Sequence, residues 1–379
     1  MFLNALQLQN SGLMEVALAL HAEGKVLPDS YIIDVDQFRH NATIIKSKAD
    51  EYGIKLYGMS KQYGRNPVLS QILIELGYEG IVAVDFKEAR TLHKAGVKIS
   101  HLGHLVQVPD AMLKEVICDI KPEVITIYSI EKALKIAQIA HESGLTQKIL
   151  LKFYQDGDML YINQESGFKL SDMDAVMAKL SGIDGIELEG LTHFPCFLYT
   201  SGTTEPTKNT HSLIKAKNNW PEELPLNQVN MPSATSCETL PLIKKFGGTH
   251  GEPGHALTGT SPANADGSQP EKIAMLYLSE ISHQFNDVSY CYAGGYYRRG
   301  KLDSALINGK RCKAHNDDES SIDYHLSIEG IHKIGSPVLM AFRTQIFVTR
   351  SDVVLVEGIK SGKPCIIGQY TALGERIDV

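Results

Sequence analysis

Eight short apolar segments recur between residues 55 and 252, and polar side chains stand at or directly after their ends. Most of the segments are rich in β-branched or other apolar residues, which is typical of buried strands. The pattern therefore predicts eight strands with polar ends. They span residues 55–59, 81–84, 98–102, 124–128, 149–154, 186–192, 228–231 and 248–252.

Helix-length stretches separate these strands, as in 66–77, 85–96, 129–144 and 233–247. They start near Asn, Asp or Ser and stop at Gly, as helix caps require. Such alternation over roughly 200 to 250 residues is typical of a closed parallel (βα)8 barrel, a TIM-like α/β fold. An open doubly wound sheet is the alternative. The barrel is favoured because polar residues recur after every strand and no GxGxxG follows the first one.

The regions that flank the barrel have a different pattern. Residues 1–29 form an amphipathic helical leader that breaks at Gly24 and Pro28. After ADGSQPEK (265–272), alternating runs such as 275–283 and 353–358 predict a C-terminal antiparallel β domain. We therefore divide the chain into a leader at 1–29, a barrel at 30–268 and a β domain at 269–379.

Composition narrows the class of protein. The chain has 379 residues, 43% of them hydrophobic, and a net charge of −7, which suits a two-domain enzyme and argues against a nucleic-acid partner. No apolar run approaches the roughly 20 residues of a membrane helix, and no basic segment precedes one, so a cytoplasmic location is the default expectation. The scattered cysteines contain no CxxC pair and predict buried free thiols rather than a zinc ribbon or a disulfide framework. They are Cys118, Cys196, Cys237, Cys291, Cys312 and Cys365.

Lys61 closes the first predicted strand, in GMSKQYGRN (58–66). An amine in a desolvated or cationic environment has a lowered pKa and can attack an aldehyde. An ordinary solvated lysine is the alternative, and position alone favours it.

Three segments, 31–49, 55–67 and 77–96, resemble the alanine racemase and ornithine racemase group of fold type III pyridoxal phosphate enzymes. The resemblance covers roughly residues 31–265 and continues more loosely to the end. It implies that Lys61 forms the Schiff base with pyridoxal 5′-phosphate and that the substrate is an amino acid. It also implies a homodimer in which the partner's β domain completes the active site.

The resemblance assigns further cofactor contacts. His193, in GLTHFPCF (190–197), matches a family histidine that stacks on the cofactor ring, although a hydrogen-bonded core histidine is the alternative. Barrels commonly bind phosphate at the loops after the seventh and eighth strands, here 231–236 and 251–259. N-capping by Ser233 is the alternative there. The candidate phosphate ligands are Ser233, Thr235, Ser236, Gly254 and His255.

Glu252 departs from the racemase pattern, because racemases place an arginine before the matching glycine motif. The sequence here is EPG, as in fold type III decarboxylases, whose glutamate contacts the pyridine nitrogen. An anion beside that nitrogen keeps it protonated, so that the ring can accept the charge of an α-carbanion. This residue leaves decarboxylation, epimerisation and elimination open.

A second catalytic group is expected in VSYCYAGGYYRRG (288–300). Tyr290 lies in a VSY string like that around the racemase tyrosine, while Tyr292, Tyr296 and Tyr297 stay open, and aromatic packing is the alternative for each. The arginine that racemases carry after the fifth strand is not evident, since Gln164 and Glu165 stand in that region.

The late strand 342–352 lacks the decarboxylase cysteine motif, and its Arg343 is a candidate carboxylate ligand or a structural ion-pair partner. We therefore predict an amino-acid racemase or epimerase first and a decarboxylase second. A pyridoxal phosphate-binding homeostasis protein is a third reading, although such proteins lack a β domain. Zinc-dependent D-serine dehydratases share the fold, but Cys312 and His315 do not make a convincing ligand pair, so no metal is expected.

Overall fold

The computed structural model describes residues 1–316, 318, 320–321 and 324–377. The chain forms two compact bodies. The barrel body comprises residues 45–60 and 70–254. The sheet body comprises residues 1–44, 61–69 and the described residues from 255 onward.

Parallel strands close a barrel in the barrel body, which confirms the predicted fold class. Lys55 and Leu56 pair with His250 and Gly251, so the first and last strands of the barrel are neighbours. Their carboxyl ends therefore lie side by side on one rim, where barrels carry their active sites. In the described residues eight strands close this ring, in the order Gln228–Asn230, His250–Gly251, Lys55–Met59, Gly80–Val82, Ile99–Leu102, Val124–Ile127, Gln147–Leu151 and Ile186–Thr192.

Helices follow most of these strands and are capped as the sequence predicts. Asp85 accepts a hydrogen bond from the N–H of Glu88 at 2.8 Å, and Ser129 accepts one from the N–H of Lys132 at 3.2 Å. The α-helices are Leu3–Gln9, Ser11–Ala22, Val35–Tyr52, Pro67–Glu75, Phe86–Lys94, Leu113–Glu115, Ile130–Glu142, Met173–Leu180, Lys208–Asn218 and Leu240–Lys245.

Short elements complete the barrel body and its connections. Phe197–Thr200 pairs with Thr203–Pro206 in an antiparallel hairpin, and Phe153–Tyr154 pairs in parallel with Phe168–Lys169. A π-helix spans Val116–Ile120. The 3-10 helices are Ser60–Tyr63, Asp110–Met112, Leu170–Asp172, Pro262–Asn264 and Ile346–Val348.

The helix predicted over residues 233–247 is wrong in its first half. Ser233 and Ala234 have φ angles of 92° and 50°, and this left-handed backbone cannot continue a right-handed helix. The helix begins only at Leu240. The preceding residues therefore form an irregular loop after the seventh barrel strand.

The sheet body contains the predicted antiparallel β domain and also the amino-terminal strand. Ser30–Asp34 pairs antiparallel with Met275–Phe285 and parallel with Asp352–Glu357. The domain boundaries predicted from the sequence place this strand in the barrel, whereas its backbone hydrogen bonds pair it with two strands of the sheet body. Across the described part of this sheet the order is Val288–Tyr292, His325–Glu329, Lys310–His315, Ser304–Ile307, Pro337–Met340, Met275–Phe285, Ser30–Asp34, Asp352–Glu357 and Cys365–Thr371.

The leader packs on one face of this sheet. Phe2 and Leu13 from the leader are buried in one apolar cluster with Ile32, Leu276 and Val354 from the strands. Burial of such side chains stabilises each by about 1.5 to 3 kcal/mol relative to exposure. The apolar side of the amphipathic leader therefore packs against this face of the sheet.

Composition led to two expectations that concern the fold, one on the cysteines and one on membrane-spanning helices. The six cysteines are free thiols as expected, but the expectation that they are buried holds only for Cys196 and Cys291, and Cys365 is exposed. No helix within the described ranges is both long and apolar enough to cross a membrane.

Candidate active site

A buried acid–imidazole pair lies at the carboxyl end of the barrel strands. Oε1 of Glu252 lies 2.7 Å from Nδ1 of His101, and the two side chains are 1% and 0% exposed. Nδ2 of Asn230 donates to the same oxygen at 2.6 Å. Nε2 of His101 contacts Oγ1 of Thr126 at 2.7 Å. Three strands therefore fix the position of one carboxylate.

The Glu252 carboxyl group is ionised at neutral pH. Burial by itself raises its pKa, but the charge and hydrogen bond of His101, with further help from His104 and Asn230, lower the pKa to about 2. An ionised carboxylate only accepts hydrogen bonds, so Nδ1 of His101 carries the proton of this contact. The Glu252 carboxylate is therefore a fixed negative charge in a low-dielectric site.

The second oxygen of Glu252 points to a missing donor. Oε2 is buried and has no hydrogen-bond partner among the described residues. An unsatisfied buried carboxylate oxygen costs about 1 to 3 kcal/mol or more, so native sites normally supply a donor. A protonated ring nitrogen is such a donor. The residues present therefore fit the pyridine nitrogen of pyridoxal 5′-phosphate.

His193 is held on both edges of its ring. Its Nδ1 accepts a hydrogen bond from the N–H of Phe194 at 2.9 Å, so the ring proton of the neutral form is on Nε2, which donates to Oδ2 of Asp158 at 3.0 Å. Burial lowers the pKa of His193 despite the nearby Asp158. The imidazole is therefore neutral and rigidly oriented, which suits contact with a flat ring.

The loop after the seventh barrel strand holds three of the predicted phosphate ligands, Ser233, Thr235 and Ser236. Oγ1 of Thr235 accepts a hydrogen bond from the N–H of Glu252 at 3.0 Å, which ties this loop to the end of the eighth strand. The Ser236 N–H donates to Oγ1 of Thr239 at 2.9 Å. The hydroxyl of Ser233 bonds to the main chain of Phe197 instead, at 2.7 and 3.0 Å. Ser233 is therefore fixed within the loop and does not cap the helix.

Lys61 follows a firmly anchored strand end. It lies in the 3-10 helix Ser60–Tyr63, directly after the strand Lys55–Met59. In the barrel body, the N–H of Met59 donates to the carbonyl of Pro253 at 2.9 Å. The Ser60 hydroxyl donates to the buried carboxylate of Glu88. The residue before Lys61 thus has a defined position.

In the sheet body, His255 lies among cationic groups. Its Nε2 accepts a hydrogen bond from Nε of Arg343 at 3.2 Å, and its Nδ1 contacts Oγ1 of Thr260 at 3.3 Å. Burial and then the charges of Arg343 and Lys61 lower the pKa of His255 well below its usual range. His255 is neutral, and its side chain is committed to these partners. Gly254, just before it, ends the barrel body and is buried.

Tyr290 lies in the strand Val288–Tyr292 and stacks on His283, with ring centroids 4.8 Å apart and an interplanar angle of 5°. Tyr292 contacts His325 at 5.9 Å between ring centroids, and Tyr296 packs edge-on against Phe342 at 5.4 Å. Each of these three tyrosines therefore packs against another ring, as the alternative of aromatic packing predicts.

Sequence reasoning missed several partners of the predicted residues. His101, Asn230 and Thr126 hold Glu252, and Asp158 orients His193. Polar residues inside apolar barrel strands, such as His101 in ISHL, were the available signal. In the part of the chain that the structure describes, no group of three or more His, Cys, Asp or Glu side chains could hold a metal ion.

Family comparisons cover both regions of the chain. The alanine racemase N-terminal domain model matches residues 33–262, and the YhfX-like C-terminal domain model matches residues 276–366. The uncharacterized protein YhfX of Escherichia coli (strain K12) is 49% identical over 386 residues, which cover 100% of both chains.

Solved structures show the same fold at low sequence identity. D-threonine aldolase from Filomicrobium marinum has a TM-score of 0.70 at 13% identity, covering 92% of this chain and 96% of that one. Alanine racemase of Clostridium difficile 630 in complex with cycloserine has a TM-score of 0.65 at 19% identity, covering 92% and 99%. D-threo-3-hydroxyaspartate dehydratase from Delftia sp. HT23 has a TM-score of 0.65 at 14% identity, covering 90% and 97%.

Proposed function

The chain belongs to the alanine racemase N-terminal domain family, and from that premise we propose that it is a pyridoxal 5′-phosphate-dependent amino-acid racemase or epimerase. Members of this family bind pyridoxal 5′-phosphate and act on small amino acids. When bound, the cofactor withdraws electrons from the α carbon of an attached amino acid. The chain's own side chains must then position the substrate and move the proton.

The unpartnered Oε2 of Glu252 is the observation that carries this proposal. An ionised carboxylate there would accept a hydrogen bond from the ring nitrogen of the bound cofactor and would keep that nitrogen protonated. His101 and Asn230 hold the other oxygen, so the carboxylate cannot turn away. This arrangement supports reactions that build negative charge at the α carbon.

Lys61 is the proposed covalent anchor of the cofactor and the base on one face of the substrate. Its position directly after the first barrel strand supports this role, since barrel enzymes place catalytic groups at strand ends. The neutral imidazole of His193 is proposed to pack on the cofactor ring. We assign the phosphate to the hydroxyls of Thr235 and Ser236, with Ser233 shaping the loop, and to main-chain N–H groups of Gly254 and His255.

Tyr290 is proposed as the acid and base on the opposite face, contributed by the β domain of a second subunit in a homodimer. If the partner completes the site, exchange at the α carbon depends on protein concentration and is lost on dilution to the monomer. Retained turnover in a monomeric state would contradict this part. The cytoplasmic location stays a prediction.

Decarboxylation is the second candidate, and the EPG motif that contains Glu252 favours it. A protonated ring nitrogen serves the loss of a carboxylate as well as the loss of a proton. The aldolase and dehydratase among the structural neighbours share the fold and extend the range of reactions to test. A non-catalytic cofactor-binding role is less favoured, because this chain carries the β domain.

The test combines absorption spectroscopy with proton exchange. We expect wild type to show the visible absorption of a lysine-bound cofactor, and Lys61→Ala to lose it. Lys55→Ala is the matched control, since Lys55 is an exposed lysine at the start of the strand that leads to Lys61. Absence of the band in wild type would contradict the cofactor assignment.

A panel of D- and L-amino acids in D₂O, followed by NMR, then separates the reactions. A racemase replaces the α proton of one amino acid by deuterium and forms the opposite enantiomer. A decarboxylase instead releases an amine and carbon dioxide. A homeostasis protein leaves every amino acid unchanged and its own spectrum unaltered.

A further inference from the structure

One strand of the sheet body has a β-bulge beside the proposed catalytic tyrosine. The pairing of Met275–Phe285 with Val288–Tyr292 shifts register between Ile281 and His283. A bulge bends its strand and re-aims the side chains next to it, and bulges are over-represented near active sites for this reason. The residue that follows the bulge, His283, stands directly opposite Tyr290 on the neighbouring strand.

Ser282, the extra residue of this bulge, holds both members of the pair. Its hydroxyl donates to the carbonyl of Tyr290 at 3.1 Å, and its Oγ lies 2.8 Å from Nδ1 of His283. Because the single hydroxyl proton goes to the carbonyl, Nδ1 of His283 donates to the same oxygen. One small side chain therefore fixes the backbone of Tyr290 and the orientation of the His283 imidazole.

The imidazole of His283 lies flat on the ring of Tyr290. The ring centroids are 4.8 Å apart and the interplanar angle is 5°. His325 meets the His283 ring edge-on, at 4.9 Å between centroids and 90° between planes. On its other neighbouring strand Tyr290 stands opposite Ser327, a small residue with no ring to stack on. His283 is therefore the side chain that sets the orientation of the Tyr290 ring.

Tyr290 faces away from the core of the sheet body. Ser289 and Cys291, on either side of it, are buried, whereas Tyr290 is half-buried and His283 is exposed. Among the described residues, none hydrogen-bonds to the Tyr290 hydroxyl. The ring is thus held on its face while the hydroxyl stays available, as a group that transfers a proton to or from a substrate requires.

We propose that His283 is a positioning residue for Tyr290 and holds the phenol ring in the orientation that proton transfer needs. The proposal rests on the proposed function, in which Tyr290 serves one face of the α carbon and Lys61 the other. A misplacement of about 1 Å can cost a hundredfold in rate, so loss of the stacked ring slows proton transfer on the tyrosine face. Stability changes little, because an exposed cross-strand pair contributes only slightly to folding.

Proton exchange in D₂O, followed by NMR for each enantiomer separately, tests this role in the full-length protein with its cofactor. D- and L-alanine are the first pair of probes, and the other pairs of the amino-acid panel follow. One enantiomer loses its α proton to Lys61 and the other to Tyr290. We expect His283→Ala to slow exchange about tenfold to a hundredfold in the enantiomer that Tyr290→Phe impairs, and to leave the other nearly unchanged.

Two further variants separate positioning from a general defect. His283→Phe keeps a flat ring opposite Tyr290 and should restore most of the exchange. In the double variant His283→Ala/Tyr290→Phe, exchange should equal that of Tyr290→Phe alone, because the effect of His283 passes through the tyrosine hydroxyl. The matched control is His315→Ala, since His315 lies in the same sheet and pairs with Glu329 at 3.0 Å.

NMR of protein labelled in its tyrosine rings gives a readout without turnover or cofactor. The Tyr290 signal is the one that Tyr290→Phe removes, and in wild type it carries the ring-current shift of the stacked imidazole. We expect this signal to move in His283→Ala and to stay in place in His315→Ala. An unmoved Tyr290 signal in His283→Ala would overturn the proposal.

The kinetic outcomes distinguish this proposal from the proposed function. Exchange that Tyr290→Phe impairs but His283→Ala does not, equal losses in both enantiomers, or a further loss in the double variant would overturn the role of His283 alone. A missing Lys61-dependent cofactor band, or wild type that exchanges no amino acid of the panel, would overturn the proposed function and this role with it.

Discussion

Glu252 and His101 lie 151 positions apart in the chain, and their Oε1 and Nδ1 atoms meet at 2.7 Å in the barrel interior. This contact occupies one carboxylate oxygen and leaves the other for a ligand. Since both side chains are buried, the negative charge is oriented before any ligand arrives, as electrostatic catalysis requires.

Substitution Glu252→Gln should separate cofactor binding from catalysis. A neutral amide cannot hold a proton on the ring nitrogen, so we expect the α-proton exchange rate to fall by about a hundredfold or more while the Lys61-dependent absorption persists. Glu189→Gln is the control, because that carboxylate pairs with Lys148 and Asn227. An unchanged exchange rate in Glu252→Gln would refute the role of the carboxylate.

Acid sensitivity should come in part from His250. Burial, with the charges of Lys55 and His101, lowers the pKa of His250 to about 3, against 6.5 for the free side chain. Between these values the unfolded chain binds a proton that the folded chain does not. The free energy of unfolding should therefore fall as pH drops below 6.5, by about 1.4 kcal/mol per pH unit from this residue.

Urea denaturation at pH 6.5 and pH 4.5 measures this effect. His250→Gln should lose stability less steeply than wild type over that interval. His211→Gln, at an exposed position of the same body, should behave like wild type. Identical pH slopes for wild type and His250→Gln would contradict the assignment.

Glu88 should stabilise the strand end that leads to Lys61. Its buried carboxylate accepts hydrogen bonds from the Ser60 hydroxyl and from the N–H of Val84 at 2.8 Å. Glu88→Ala leaves both donors unsatisfied, so we expect a loss of about 2 to 5 kcal/mol in the free energy of unfolding and lower cofactor occupancy. The neighbouring exposed residue gives the control, Lys87→Ala. Equal unfolding curves for the two variants would exclude this role.

Tyr290→Phe tests the second catalytic group. Loss of one hydroxyl should lower α-proton exchange by about a hundredfold or more, within the range for a general acid or base, and leave the cofactor band in place. Tyr292→Phe, two residues later in the same strand, is the matched comparison. If Tyr292→Phe has the larger effect, the catalytic assignment moves to that tyrosine.

Local pattern was sufficient for most of the secondary structure. The strand predicted at 55–59 is found as Lys55–Met59, and the helix predicted at 129–144 is found as Ile130–Glu142 with Ser129 as its cap. These elements follow from periodicity and capping within a few neighbouring residues. The helix predicted from Ser233 fails because the left-handed backbone at Ser233 and Ala234 is not encoded by hydrophobic pattern.

The sequence by itself determined the barrel, the β domain, the family and the lysine and glutamate at two strand ends. Only the tertiary structure decided which residues surround them. His101 and Asn230 read as ordinary polar residues in apolar strands until barrel closure brings distant segments together around Glu252. The physical reason is that strand patterns depend on neighbours in sequence, whereas the charge, hydrogen bonds and burial of a site depend on contacts between residues far apart in the chain.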